Sequence, residues 1–204
     1  MVIHTFGAFF GLSATFFYQS KAAIDDVRGL GKSNYLSDLV SMVGTMFLFS
    51  FWPSFNAALG SGASMHRAVI NTYLSMTSSV IASIIGAKMT HGGKLNMEII
   101  LNASLAGGVA VGSAADIIVM PFGAMLAGFV TGLVSSFGFA KLSGFLREKI
   151  GLHDTCGVLN LHGIPGLAGG IIAAIVASRG EGNFGKQYTY IFTQGRTASV
   201  QAGF

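Results

Sequence analysis

Charged side chains along the 204 residues fall into clusters separated by six long runs that contain none. The runs cover 1–20, 39–64, 68–87, 99–115, 117–140 and 155–178. A helix that crosses a bilayer needs roughly 17 to 25 apolar residues, and each run is about that long. The pattern predicts an all-α polytopic membrane protein with transmembrane helices near 1–20, 37–59, 67–88, 97–113, 119–142 and 155–178. All six belong to one membrane domain, residues 1–204. Long buried helices of a soluble core are the alternative, and these lengths disfavour it.

Composition strengthens that picture: 51% of residues are apolar, 10% are charged, and there are 29 glycines. No positively charged flank precedes the first run, so a cleavable signal peptide is not expected. The run that starts at Met1 suggests a chain that opens inside a helix. The polar, glycine-rich stretch 179–204 reads as a truncated loop, and together these features suggest a piece of a larger membrane protein. The net charge of +4 comes from loops and is no nucleic-acid signature. Lys21, Arg28, Lys32, Lys88, Lys94, Lys141, Arg147 and Lys149 fall on one side of the predicted bundle. Arg67, Arg179, Lys186 and Arg196 fall on the other. The positive-inside bias places the first group in the cytoplasm and the 179–204 loop outside.

Small residues recur at four-residue spacing in Gly7/Gly11, Gly108/Gly112, Gly128/Gly132 and Gly166/Gly170. Lipid is as apolar as leucine, so membrane helices associate through the close backbone approach such residues permit. Pro121 suits the first position of a helix, where its missing N–H costs nothing. Pro53 and Pro165 lie inside helical spans and should kink or locally end them.

Two histidines, His4 and His162, lie within uncharged runs, where an ionisable group is by default a functional hypothesis. Each is followed by glycines at related positions, a faint sign of two related helices. A neutral imidazole has one donor and one acceptor, so two facing rings can satisfy one another and still present two nitrogens to a small neutral solute. The bland alternative is a hydrogen bond to a neighbouring helix. Trp52 and Phe55, in Phe51-Trp52-Pro53-Ser54-Phe55-Asn56, read first as an interfacial aromatic belt and second as a gate. Asp38 and Glu148 stand at cytoplasmic helix ends, where carboxylates concentrate cations. Asp154 precedes its helix and reads as a cap. Cys156 is the one cysteine, no metal-ligand spacing or enzyme motif appears, and no cofactor is expected.

Four strings together resemble the Rh glycoprotein branch of the ammonium transporter family. They are Ile3-His4-Thr5-Phe6-Gly7-Ala8-Phe9-Phe10-Gly11-Leu12, the 51–56 string above, Leu105-Ala106-Gly107-Gly108-Val109-Ala110-Val111-Gly112, and Asp154-Thr155-Cys156-Gly157 running on to Leu161-His162-Gly163-Ile164-Pro165-Gly166. The resemblance implies a bundle of inverted repeats. Of these, the chain would hold the last helix of the first half and all five of the second. It implies that His4 and His162 are twin pore histidines and that Phe55 is a gate residue with Trp52 and Asn56 beside it. Asp38 and Glu148 would match vestibule acids, whereas Asn96 stands where relatives often carry one. Further implications are a plasma-membrane homotrimer or Rh-family heterotrimer in lipid, and ammonia or ammonium as solute, with methylammonium and carbon dioxide as alternatives. A carbon dioxide conduit and a non-conducting scaffold subunit are the competing readings.

Overall fold

The computed structural model describes residues 2–25, 29, 32–185 and 197–203. Met1, Arg28, Lys186, Arg196 and Phe204 lie outside them. The described residues form helices α1 (His4–Tyr18), α2 (Lys21–Asp25), α3 (Tyr35–Ala57), α4 (Gly62–Thr90), α5 (Met97–Val111), α6 (Pro121–Ile150), α7 (Leu159–Ala177), α8 (Gly180–Phe184) and α9 (Ala198–Ala202). Each of the six predicted spans is a helix. Four of them, α3, α4, α6 and α7, are long and apolar enough to cross a membrane.

The other two are shorter than expected, with 15 residues each in α1 and α5. Such a helix rises only about 22 Å. For α5 the reason is burial. Every residue from Ala103 to Val111 is buried, so the helix faces protein and need not match the lipid thickness. The charge-free runs also misplace some helix ends. α4 already begins at Gly62 and carries Arg67, and α6 runs through Lys141, Arg147, Glu148 and Lys149 before it stops at Ile150. Charge marks where side chains reach water, and a helix with long basic side chains continues past that depth.

α4 organises the bundle, with its most extensive contacts to α6 and then α5. Ser75 donates to the Gly107 carbonyl at 2.8 Å and Ser79 to the Ala103 carbonyl at 2.6 Å. Gly107, Gly128 and Gly132 face these serines from α5 and α6. A Cβ at Gly107 would lie 2.6 Å from the Ser75 carbonyl oxygen, and one at Gly132 would lie 2.5 Å from the Ser79 hydroxyl. Without those glycines the backbones could not approach so closely. Buried Asn71 holds the turn after α5 by donating to the carbonyls of Ala115 (2.8 Å) and Ile118 (2.7 Å). Arg67 adds a hydrogen bond to the Asp116 carbonyl and stands 5.5 Å over the Phe184 ring.

The expected glycine pairs divide. Gly108 lies against the Trp52 indole, Gly112 is 3.3 Å (as a Cβ) from the Asn56 carbonyl oxygen, and Gly166 packs on Thr5 and His4. Gly170 is half-buried on α7. Gly7 and Gly11 differ: a Cβ on either would meet nothing within 4 Å among the described residues, because α1 turns another face to α7. Pro121 opens α6 as expected, and Pro53 sits inside α3 without ending it. Just before Pro165, α7 changes from a π-helical turn (Leu159–Gly163) to α-helix (Ile164–Ala177). Among its described residues, the stretch expected as a polar loop holds two short helices, α8 and α9. α9 packs on α7, and the Ala198 N–H donates to Glu181 at 3.0 Å.

Gly107→Ala should lower the midpoint of thermal unfolding in detergent, since overpacking costs about 1–3 kcal/mol and exceeds the gain in helix propensity. Gly144→Ala, whose Cβ meets nothing within 4 Å, should leave the midpoint unchanged or raise it. Equal behaviour of the two variants would contradict the close-approach account.

Candidate functional site: a paired imidazole between the first and last long helices

His4 lies in the first turn of α1 and His162 in the π-helical turn that opens α7. A π turn carries one extra residue per turn, and such turns are frequent at functional sites. Three contacts press α1 and α7 together here. Gly166 meets Thr5 and His4, a Cβ on Gly163 would lie 3.2 Å from Ala8 Cβ, and the histidines meet each other.

The two Nδ1 atoms are 3.1 Å apart. The rings are 3° from parallel with centroids 5.1 Å apart. A nitrogen separation so much smaller than the centroid separation means that the rings lie edge to edge in nearly one plane, not face over face. One Nδ1 must then carry the hydrogen and the other the lone pair. The pair therefore holds opposite tautomers. Its outer Nε2 atoms offer one lone pair and one N–H. Both residues are half-buried and border a cavity of about 220 Å3 with Ile3, Gly7, Ala8 and Val158. Apart from the imidazoles, that wall is apolar.

Trp52 departs from the belt expectation. It is 6% exposed, its ring lies 5.8 Å from His4 at 15°, and it packs with Met76, Leu105, Ala106, Val109 and Leu161. Gly108 makes room for it, because a Cβ there would sit 2.7 Å from the indole nitrogen. A tryptophan can be wholly interior when the facing helix offers a glycine. Asn56, one turn on, donates to Thr72 (3.1 Å) and to the Gly108 carbonyl (3.0 Å), which ties α3 to α4 and α5. Phe55 points outward and is 65% exposed among the described residues.

Asp154 accepts hydrogen bonds from the N–H groups of Val158 (3.0 Å) and Leu159 (2.9 Å) at the start of α7. That geometry is a helix cap. At the same end, a cavity of about 250 Å3 is lined by Glu98, Ser143, Arg147, His153, Asp154 and Thr155 among others. Glu148 is exposed and does not line it, and Asp38 instead accepts a hydrogen bond from Ser33 in the first turn of α3. Asn96 caps α5 by accepting from the Ile99 N–H at 2.9 Å. Glu98, Arg147 and His153 did not stand out in the sequence. Glu98 could have been found as the acidic residue in the first turn of α5. Arg147 and His153 have no local signal, because the α6–α7 turn brings them there. Gln19 steadies this end by bonding the Gly151 carbonyl and accepting from the His153 N–H at 3.0 Å.

The profile of the Ammonium Transporter Family matches residues 1–202. The chain belongs to the ammonium transporter family. It is similar to ammonium transporter Rh type C of Homo sapiens, at 48% identity over 180 residues, covering 87% of this chain and 37% of that protein. Its similarity to Rh type C of Oryctolagus cuniculus is 44% over 208 residues, covering 100% of this chain and 44% of that one. The chain thus spans less than half the length of these relatives. In structure it resembles Nitrosomonas europaea Rh50, of the Rhesus protein family of channels, with a TM-score of 0.80 and 36% identity. That match covers 98% of this chain and 52% of the other. A sensor Amt protein matches with a TM-score of 0.71 and 25% identity, over 85% and 42% of the two chains. The chain is therefore a multi-pass membrane protein of a transporter family, which is not an enzyme class.

Asp154→Ala should lower stability by about 1 kcal/mol, the usual value of a helix cap, and Asp154→Asn, whose single amide oxygen can accept from only one of the two N–H groups, should recover only part of it. Thermal unfolding of the two variants in the same detergent checks this. Asparagine as damaging as alanine would mean that the carboxylate does more than cap.

Proposed function

We propose that the protein conducts ammonia across the plasma membrane through a path lined by His4 and His162. The observation that carries this reading is the coplanar imidazole pair set in an apolar cavity between α1 and α7. An ion at mid-membrane costs several kcal/mol, and the paired rings offer no carboxylate or ring of carbonyls to repay it. Neutral ammonia avoids that cost. One imidazole nitrogen accepts a hydrogen bond from it and the other donates one, so the solute exchanges water for a matched pair of partners.

Ammonium is drawn to the mouths of the path, gives its proton to water outside the aromatic gate at Phe55, and is re-formed beyond the histidines when the ammonia takes a proton from water at the far mouth. Glu98 and Asp38 place carboxylates at the end that carries Lys88, Lys94 and Lys141, and the positive-inside bias makes that end cytoplasmic. In this reading Trp52 is a wall of the path beside His4, and Asn56 holds α3 in place. The working form is a trimer with Rh-type subunits in lipid, each with its own path. Membership of the family and likeness to Rh type C support ammonium as the substrate.

In proteoliposomes of the full-length protein, His162→Ala should reduce ammonia flux by about tenfold at equal incorporation, the size expected when a buried solute loses one hydrogen-bond partner. Flux unchanged by His162→Ala would refute the twin-histidine path. Wild-type protein with no flux above empty vesicles would favour a scaffold subunit. Carbon dioxide flux sensitive to His162→Ala, with ammonia flux insensitive, would favour a gas conduit for the former.

A further inference from the structure

Asn160 is the one buried polar side chain of the π-helical turn that carries His162, and the transport path does not use it. It is 0% exposed. Its Nδ2 crosses to α6 and donates to Ser143 at 2.7 Å. Its Oδ1 is buried and has no hydrogen-bond partner among the described residues. The side chain fills the space over Gly138, where a Cβ would come 2.9 Å from the amide carbon. A half-satisfied buried amide is an expensive choice where leucine would serve. Something in this position requires the asparagine.

Its place supplies the reason. Asn160 and His162 are two residues apart, so they project from nearly opposite sides of the helix. His162 faces α1 and His4, while Asn160 faces α6. There it meets a second π-helical segment, Gly138–Leu142, and the residue that follows it, Ser143. A π turn is wider and less regular than an α turn, so its rotation about the helix axis has to be held from outside. We propose that the Asn160–Ser143 hydrogen bond is a positioning pin that fixes the rotation of the Leu159–Gly163 turn and thereby the edge-to-edge contact of His162 with His4. The inference rests on the twin-histidine reading for its functional consequence, but not for its structural content. Ser143 also lines the cavity at the Glu98 end, so the hydroxyl that holds Asn160 borders that cavity as well.

The test uses the full-length protein in liposomes with 15N-labelled histidine. Solid-state 15N spectra read the N–H···N contact between the rings, and flux is measured on the same preparations. Ser143→Ala removes the acceptor with little change in volume, and Ser143→Thr restores a hydroxyl. The expected result for Ser143→Ala is loss of the inter-ring signature and about a tenfold fall in ammonia flux, the effect of misplacing one buried hydrogen-bond partner of the solute. Ser143→Thr should keep both near wild type. A Ser143→Ala protein that retains the inter-ring signature overturns the proposal, whether its flux is normal or reduced, because the residue would then be only a helix tie or part of the mouth. His162→Ala measured alongside separates the two readings. If His162→Ala leaves flux intact, the twin-histidine path fails while the spectra still decide on the pin.

Discussion

Close approach of three helix backbones is the constraint on which the rest depends. Lipid supplies no hydrophobic force between helices, so the bundle has to be held by packing and by hydrogen bonds that lipid cannot offer. α4 meets that need with serines that bond the carbonyls of α5 and with glycines of α5 and α6 set against it. Ser75 takes part in both contacts, bonding Gly107 and facing Gly128. Each hydroxyl is satisfied by a carbonyl of a neighbouring helix, so polar atoms inside the bundle tie helices together. A larger residue at Gly107 would push α5 outward. The displacement would then pass to whatever rests on α5.

Trp52 is what rests there. The indole lies on Gly108, next to Gly107, and its ring flanks His4. The position of the first imidazole is thereby coupled to the packing of α4 on α5, although neither helix contributes a histidine to the pair. α5 also touches α7, where a Cβ on Gly169 would lie 2.7 Å from the Ala110 carbonyl oxygen. The second imidazole depends on the same helix from the other side. Both rings of the pair are therefore referenced to α5, the most deeply buried element of the bundle.

Much of this was legible in the sequence because it follows from solvent. Each apolar run coincides with a helix, four of them long and apolar enough to cross a membrane, and a histidine in an uncharged run marked both members of the pair. Pro121 marked the start of α6, and Asp154 marked the cap of α7. What was not legible depends on partners that only the folded chain supplies. Trp52 has the composition of an interfacial belt residue until Gly108 faces it. Gly7 and Gly11 have the spacing of a packing motif, yet face away from the described chain. The ends of α4 and α6 escaped because charge reports depth in the membrane, whereas hydrogen bonding ends a helix. The π turn at Leu159–Gly163 has no sequence signal beyond the nearby Pro165, whose missing N–H leaves the Leu161 carbonyl without its usual partner.

The edge-to-edge contact constrains how many protons the pair can hold. One ring donates through Nδ1 and keeps a lone pair on Nε2, while the other accepts through Nδ1 and carries its hydrogen on Nε2. A proton added to the free Nε2 leaves the inter-ring bond in place, since Nδ1–H still points at a lone pair. A second proton could bind only at the accepting Nδ1, and there it would set two N–H groups against each other at 3.1 Å. The contact is therefore compatible with zero or one proton and not with two. A pair of this kind can pass a proton from one ring to the other, or remain neutral while a polar solute slides along it. It cannot take a second charge without coming apart, and with no carboxylate facing the rings among the described residues even one is unsupported, which suits a path for small neutral molecules better than a fixed cation site.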